Sequence, residues 1–438
     1  MSSYIRRKTP GDTDWFVHDR FGMFIHFGLY SMPARHEWIK SYEMIPEEKY
    51  DTYFKYFNPD LFDAHKWAKT AKKAGMKYAI LTTKHHEGFC MFDSKYTDYK
   101  ITNTPFGRDL VKEYVEAFRA EGLRVGFYYS LLDWHHPDFT IDRIHPRRQD
   151  TDAYEQNKNR DMKKYAEYMR NQVRELLTEY GKIDILWLDF SYSWSEERDL
   201  SWMKGKGKED WESEKLIALV RELQPEIIIN NRSEIEQDLW TPEQFQLREW
   251  ERHSETGELV TWEACQTFSG SWGYNRDEHT WKSPKILVDM LINTVSCGGN
   301  LLMNVGPTSR GCFDKRATEA LEVYAEWMKY NSRSIYGCTM AEPEFIAPRG
   351  TRLTQSVDGS RLYIHIMEYP YKFLEMENLA GKIDYVQFLH DGSEILYTEG
   401  YLESVDVKHW RDPNLVCFTL PEIKPDIIDP VIEVMLKK

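Results

Sequence analysis

No apolar run in this chain approaches the ~18 residues needed to span a bilayer. None of signal-peptide length follows the polar start at 1–15, where Arg6, Arg7 and Lys8 cluster. Cys90, Cys265, Cys297, Cys312, Cys338 and Cys417 are scattered, with no C-x-x-C pair. That predicts free thiols rather than a disulfide framework, and with the missing leader a cytoplasmic protein. Positive charge is short as well: 57 Lys and Arg against 71 Asp and Glu leave a net charge of -14. Such a balance argues against nucleic acid or an anionic membrane as partner. The motifs G-x-x-x-x-G-K-S/T, G-x-G-x-x-G, G-x-S-x-G and H-E-x-x-H are all missing. Nucleotide, dinucleotide, serine-hydrolase and zincin chemistries lose their simplest support.

Aromatics are plentiful, at 14% of residues with 15 Trp and 27 Tyr. Large rings bury well, and the excess suits a site that stacks on sugar faces. The length of 438 residues fits one barrel of about 250–350 residues with a smaller domain after it. Apolar strands are predicted at 23–27, 78–83, 124–131, 184–190, 227–230, 261–267 and 300–305. Helical patterns at 62–74, 110–121, 162–180, 214–223, 284–296 and 315–330 separate or follow them, several closing on Gly. Repeated helix-Gly-strand units with near-continuous apolar strands mark a parallel sheet covered on both faces. About seven strands point to a (β/α) TIM-like barrel, closed or slightly irregular, over 1–337. Beyond Gly337 the runs at 352–355, 361–367, 385–389, 395–399, 416–420 and 431–436 are short and alternating. Asp-Gly turns at 358–359 and 391–392 signal hairpins. Residues 338–438 are expected to be an all-β sandwich.

The strand at 184–190 reads Ile185-Leu186-Trp187-Leu188-Asp189-Phe190 and ends on one lone carboxylate. A charge closing a buried strand is costly to desolvate, and carboxyl ends of barrel strands are where catalytic groups are mounted. Trp187, two residues back on the same face, would shape a pocket floor. The polar stretch 191–211 follows as a long loop over the site, a candidate lid. At the end of the second strand stand His85 and His86. Adjacent residues of a regular strand face opposite sides, so the pair is ill placed to share a metal and one of the two reads as core. His26 lies among Phe24, Ile25 and Phe27, and Glu37-Trp38 occupies the next loop, suited to grip and stack on a sugar. Asp189 needs a second carboxylate if it is to act in glycoside cleavage; Glu243, Glu249, Glu251 and Glu263 are the candidates. A retaining glycosidase holds the two carboxyls about 5–5.5 Å apart. The sequon Asn231-Arg232-Ser233 falls at a strand end expected in the pocket.

Taken in order, several segments resemble the α-L-fucosidases of glycoside hydrolase family 29. They are Phe21-Gly22-Met23-Phe24-Ile25-His26-Phe27-Gly28, Glu37-Trp38, Lys84-His85-His86-Glu87-Gly88-Phe89, and Tyr128-Tyr129-Ser130 with Asp133-Trp134. Leu186-Trp187-Leu188-Asp189, Asn230-Asn231-Arg232, Ser271-Trp272-Gly273-Tyr274 and the run from Gly299 to Pro307 complete them. The resemblance spans Trp15 to Gly311. It implies a retaining hydrolase without metal or cofactor, acting on a fucosylated oligosaccharide or glycoconjugate, with a barrel followed by a β-sandwich. Asp189 falls on the family's nucleophile, and His26, His85 and His86 on its fucose-binding histidines. Glu37 and Trp38 match the pair holding the sugar's polar face. Tyr129, with Tyr128 as the alternative, and Arg232 match positions near the reacting centre. The family's Asn-Asp-Arg is here Asn-Asn-Arg. Some members carry Asp-x-x-Thr-x-Glu with its Glu as acid/base, which Asp238 to Glu243 fits; Glu249 and Glu263 are the alternatives. Other readings stay open: a fucose-binding barrel without catalysis, a metal-dependent hydrolase using His85 and His86, and a hydrolase for a related sugar such as galactose. Whether the chain forms a homo-oligomer is equally open.

Overall fold

The computed structural model describes residues 4–194, 201–400 and 413–437. Seven strands build the first sheet: β1 (Phe21–Ile25), β2 (Tyr78–Lys84), β3 (Arg124–Ser130), β4 (Ile185–Asp189), β5 (Ile228–Ile229), β6 (Glu263–Thr267) and β7 (Asn300–Val305). All neighbours pair parallel, in the order β5-β4-β3-β2-β1-β7-β6. Residues 239–243 bridge the two ends of that row. Asn230 pairs with Leu239, Trp240 with Trp262, and Glu243 with Cys265, each in parallel sense. This stretch is a rudimentary eighth strand, cut short by Pro242, which offers no N–H to a ladder. The sheet is thereby an irregular barrel.

Local chemistry explains the units. Helices Ala64–Lys73, Leu110–Ala120, Met162–Glu179, Pro284–Ser296 and Lys315–Asn331 each start under a side-chain cap, from Asp63, Asp109, Asp161, Ser283 and Asp314. Such caps satisfy N–H groups that the first turn leaves open. Gly181, at φ +73°, ends the third of these in a backbone that favours glycine, and the chain passes directly into β4. The outer strand faces pack under the helices in one apolar core. Inside the barrel Phe24, Tyr78, Tyr128, Ile185, Trp187 and Leu302 form a second, aromatic core.

Past Gly337 the strands are antiparallel. Strands β8 (Cys338–Met340), β9 (Thr351–Ser356), β10 (Arg361–Ile366), β12 (Ile383–Phe388) and β15 (Val431–Leu436) make one sheet. Strands β11 (Phe373–Met376), β13 (Tyr397–Glu399) and β14 (Val416–Thr419) make another. Leu362, Ile364, Leu374, Met376, Phe418 and Ile432 fill a core shared by the two. The Asp358-Gly359 turn joins β9 to β10 as a hairpin. Strands β8 and β11 lie outside the strand set read from sequence, being three and four residues long. Among the described residues no helix is long and apolar enough to cross a membrane.

Candidate active site

Every residue of β4 is buried, and alternation along the strand turns Trp187 and Asp189 to the barrel interior. Register carries the phase to β3, where Tyr128 pairs with Trp187 and Ser130 with Asp189. The Tyr128 hydroxyl donates to Asp189 Oδ2 at 2.7 Å. Arg232 Nη1, just beyond β5, donates to Asp189 Oδ1 at 2.8 Å and to Glu243 Oε2 at 2.9 Å. One nitrogen thus holds both carboxylates, so their oxygens cannot be farther apart than the sum of those two bonds. Burial pushes the Asp189 carboxyl above its ordinary range; Arg232 opposes the rise and Glu243 adds to it. Burial in turn disfavours the Arg232 charge, but Asp189, Cys265 and Glu243 together more than offset that and keep the guanidinium firmly protonated. That guanidinium lies 4.4 Å over the Trp187 ring.

Three histidines surround Asp189. His26 Nδ1 meets Asn304 Oδ1 at 2.6 Å, while the Asn304 amide donates to the Trp272 carbonyl. The Asn304 oxygen can only accept, so His26 carries its proton on Nδ1. His86 Nδ1 meets Ser130 Oγ at 2.7 Å. The Ser130 hydroxyl already donates to the Leu132 carbonyl, so His86 also donates through Nδ1. Its Nε2 then faces Asp189 Oδ2 at 3.9 Å. Burial holds both imidazoles well below their ordinary pKa, with His85 adding to the effect. His85 stacks on Tyr128, with ring centres 5.5 Å apart. Both His85 and His86 line the cavity. The expectation that one of them belongs to the core is corrected: the chain leaves β2 at Lys84, and strand alternation no longer applies.

Glu37 is buried, and its Oε2 accepts from the backbone N–H groups of Trp272 and Gly273 at 3.1 and 2.9 Å. A Cβ on Gly273 would lie 2.8 Å from the Tyr30 ring, which explains the glycine after Trp272. Trp38 packs edge-on against His86 and Trp134 and tilts onto Phe190. Phe190 sits at φ +79°, a strained backbone for an aromatic residue. The twist swings its ring from the end of β4 onto His86. Phe24, Phe190 and Trp272 complete the walls. Phe24 and Trp272 lie within segments that carry the resemblance, whereas nothing in the sequence shows the left-handed turn that aims Phe190.

Four candidates fall elsewhere. Tyr129, expected near the reacting centre, points away from it. Its hydroxyl donates to Gln172 in the helix Met162–Glu179, and its ring lies under Lys84. Tyr128 holds the position instead. Glu263 opens β6 at the floor of the barrel, where it accepts from the Tyr78 hydroxyl at 2.5 Å and Trp187 Nε1 at 3.3 Å. Burial there pushes its carboxyl up to about 7, against those two donors. Glu249 is exposed beside Trp250, whose ring covers Gly298 at the amino end of β7. Glu251, weighed beside it, is exposed too. Glu243 alone of the four reaches Asp189, through Arg232.

The lid expectation falls partly on residues 195–200, outside those described. The described ends are tied down. The Tyr192 hydroxyl donates to Asp142 at 2.5 Å, Lys206 forms a buried ion pair with the same carboxylate, and Ser191 Oγ donates to the Arg232 carbonyl at 2.7 Å. The cavity itself is small, about 50 Å³. A larger groove of about 800 Å³ lies between helix Lys315–Asn331 and residues 424–428, away from every barrel strand end. Size therefore does not locate the chemistry here. Among the described residues Glu47, Asp51 and His135 gather possible metal-ligand atoms, but Lys40 and His135 already hold Glu47, and neither His85 nor His86 takes part.

A barrel whose carboxyl end mounts two arginine-bridged carboxylates over an aromatic floor has the architecture of a glycoside-cleaving enzyme. A family model described as alpha-L-fucosidase matches residues 5–333. The solved alpha-L-fucosidase isoenzyme 1 from Paenibacillus thiaminolyticus is 42% identical with a TM-score of 0.88, covering 97% of this chain and 99% of that one. A GH29 alpha-L-fucosidase from Bacteroides thetaiotaomicron gives 0.81 at 28% identity, over 100% and 97% of the two chains. A GH29 alpha-L-fucosidase from the same organism, solved in mutant form as a trapped covalent intermediate with 2-fluoro-fucosyl fluoride, gives 27% identity and a TM-score of 0.81 over 100% of this chain and 98% of that one. Human plasma alpha-L-fucosidase is 31% identical over 354 residues, 74% of this chain and 68% of its own length. The chain belongs to the alpha-L-fucosidase family.

Proposed function

We propose that this chain releases terminal α-L-fucose from fucosylated glycans with retention of anomeric configuration. Asp189 is the nucleophile and Glu243 the acid/base. The observation that carries the reading is the pair of contacts from Arg232 Nη1 to Asp189 and Glu243. It limits how far apart the nearest oxygens of the two carboxyls can lie, which supports the ~5–5.5 Å spacing of retaining enzymes over the ~6.5–9.5 Å of inverting ones.

The division of labour follows from surroundings. Asp189 is only 8% exposed and is steadied by a guanidinium and a phenol, as suits a carboxylate that must meet carbon without a water shell. The Glu243 side chain is 43% exposed at the mouth, where it can exchange a proton with solvent between steps. The sugar enters past Glu243 at the mouth. The ring then lies over Trp187, its hydroxyls meet the histidines and Glu37, and Phe24, Phe190 and Trp272 offer an apolar wall to the C5 methyl.

Asp189 attacks the anomeric carbon as the glycosidic C–O bond breaks, and Glu243 gives its proton to the leaving oxygen. Water next attacks the same carbon, Glu243 takes its proton, and the Asp189 carboxylate is released. Proton NMR of aryl α-L-fucoside hydrolysis tests this reading. The first sugar signal is expected from the α-anomer. A β-anomer first, or no turnover by folded protein, contradicts it.

A further inference from the structure

We propose that Glu87 is a positioning residue for sugar recognition: it fixes the His85 proton on Nδ1, so that His85, like His26 and His86, turns an accepting Nε2 into the pocket. The proposal rests on the sugar-binding reading of the pocket.

The turn after β2 creates the arrangement. The Gly88 N–H donates to the His85 carbonyl at 3.0 Å, with Gly88 at φ +86°. A Cβ there would stand 2.2 Å from Asp133 Oδ1, so only glycine closes this turn. Closure folds the Glu87 side chain back beside His85. Glu87 is 1% exposed. Neither of its carboxylate oxygens has a hydrogen-bond partner among the described residues, and neither does His85 Nδ1. The orphans are neighbours: Nδ1 lies 3.4 Å from Oε2, near enough for an ion pair but out of line for a hydrogen bond. Buried polar atoms left unpaired are costly, and a proton on Nδ1 relieves both sides at once. A proton on Nε2 would instead set a nitrogen lone pair against a carboxylate. A small turn of the imidazole brings the pair into line, as poorly aligned contacts of ligand-free sites do when substrate tightens them.

The other two histidines donate through Nδ1 to Asn304 and Ser130. With Glu87 acting on His85, three imidazoles share one tautomer, and three acceptors face a sugar that offers three hydroxyl donors. Of the three anchors only Glu87 is a carboxyl, beside an amide and a hydroxyl. Glu87 thus acts through His85 and touches no substrate atom.

The test pairs a spectrum with a substrate series. Histidine-labelled ¹⁵N spectra of the wild type are expected to show His85, identified by its loss in His85→Gln, with a protonated Nδ1 and a bare Nε2. In Glu87→Leu the two nitrogens are expected to average as the tautomers mix. On an aryl α-L-fucoside Glu87→Leu is expected to lose about 10-fold in kcat/KM, mostly through KM. Glu87→Gln, whose amide oxygen still accepts from Nδ1, is expected to stay within about 3-fold. Across the 2-, 3- and 4-deoxy fucosides, the Glu87→Leu loss is expected to vanish for one substrate alone. An equal loss on all four substrates marks a merely structural role and overturns the proposal. So does a wild-type His85 protonated on Nε2, a result that stands even if Glu87→Leu does not fold. Absence of turnover by the wild type would refute the fucosidase reading and leave the tautomer spectrum to decide this one.

Discussion

The Tyr128 hydroxyl donates to Asp189 Oδ2 at 2.7 Å from the neighbouring strand, two residues below the register partner of Asp189. The bond favours the ionised carboxylate, opposing the burial that pushes Asp189 up. Tyr128→Phe removes that donor. The activity of an ionised nucleophile then fails at a higher pH, so the acid limb of kcat/KM is expected to move up, with about a 10-fold loss at its plateau. Tyr129→Phe is the control. It breaks the buried bond to Gln172 and is expected to cost about 1 kcal/mol of stability while leaving the pH profile in place. Rate profiles and thermal melts of the two variants check both halves.

Glu243 is expected to matter in proportion to how badly the leaving group needs a proton. Glu243→Ala should lose about 10²–10⁴-fold on substrates with poor leaving groups. On a dinitrophenyl fucoside, whose leaving group needs no acid, the first step should be nearly intact. Burst kinetics read the two steps apart. The same loss on both substrates would point to another acid.

Glu263 ties stability to pH. Its carboxyl is pushed from an ordinary 4.5 to about 7 by burial beneath Trp187. A group raised in the folded state favours folding fully below its unfolded pKa, and that favour is lost as pH rises through the folded one. Between pH 4.5 and 7 the wild type should therefore lose about 3 kcal/mol relative to Glu263→Gln, which cannot ionise. Melting temperatures of the two proteins at pH 4.5 and 8 check this. Parallel shifts would mean that Glu263 does not titrate in that window.

Legibility tracked regularity. Strands such as β2, β4 and β7 announce themselves by apolar runs between capped, glycine-ended helices, and helix Pro284–Ser296 follows its pattern to the residue. The closing stretch at 239–243 has no such signature, because Pro242 and a mixed polar sequence leave only isolated bridges. The phase of β3 was hidden for a different reason. Tyr128 and Tyr129 are both fully buried, one by the barrel lumen and one by a helix, so burial pattern alone cannot say which faces inward. Register with Trp187 and Asp189 decides it.

The site was legible where a side chain stands at the carboxyl end of a strand, as Asp189 does. Glu263 and Glu243 look alike as loop-edge glutamates, yet one starts β6 at the barrel floor and the other sits at the mouth. The anchors behind the histidines, Asn304, Ser130 and Glu87, lie inside the recognised segments, but their roles depend on which nitrogen each one meets. Only three-dimensional contact reveals that.

The nucleophile assignment is tested most directly by Asp189→Gly with an aryl α-L-fucoside, with and without azide. The variant is expected to fold and to lose about 10⁴–10⁶-fold in kcat. Azide should restore turnover and yield β-L-fucosyl azide, inverted at the anomeric carbon. A variant that keeps near-wild-type activity, or a rescued azide of α configuration, would contradict Asp189 as the group that attacks the sugar.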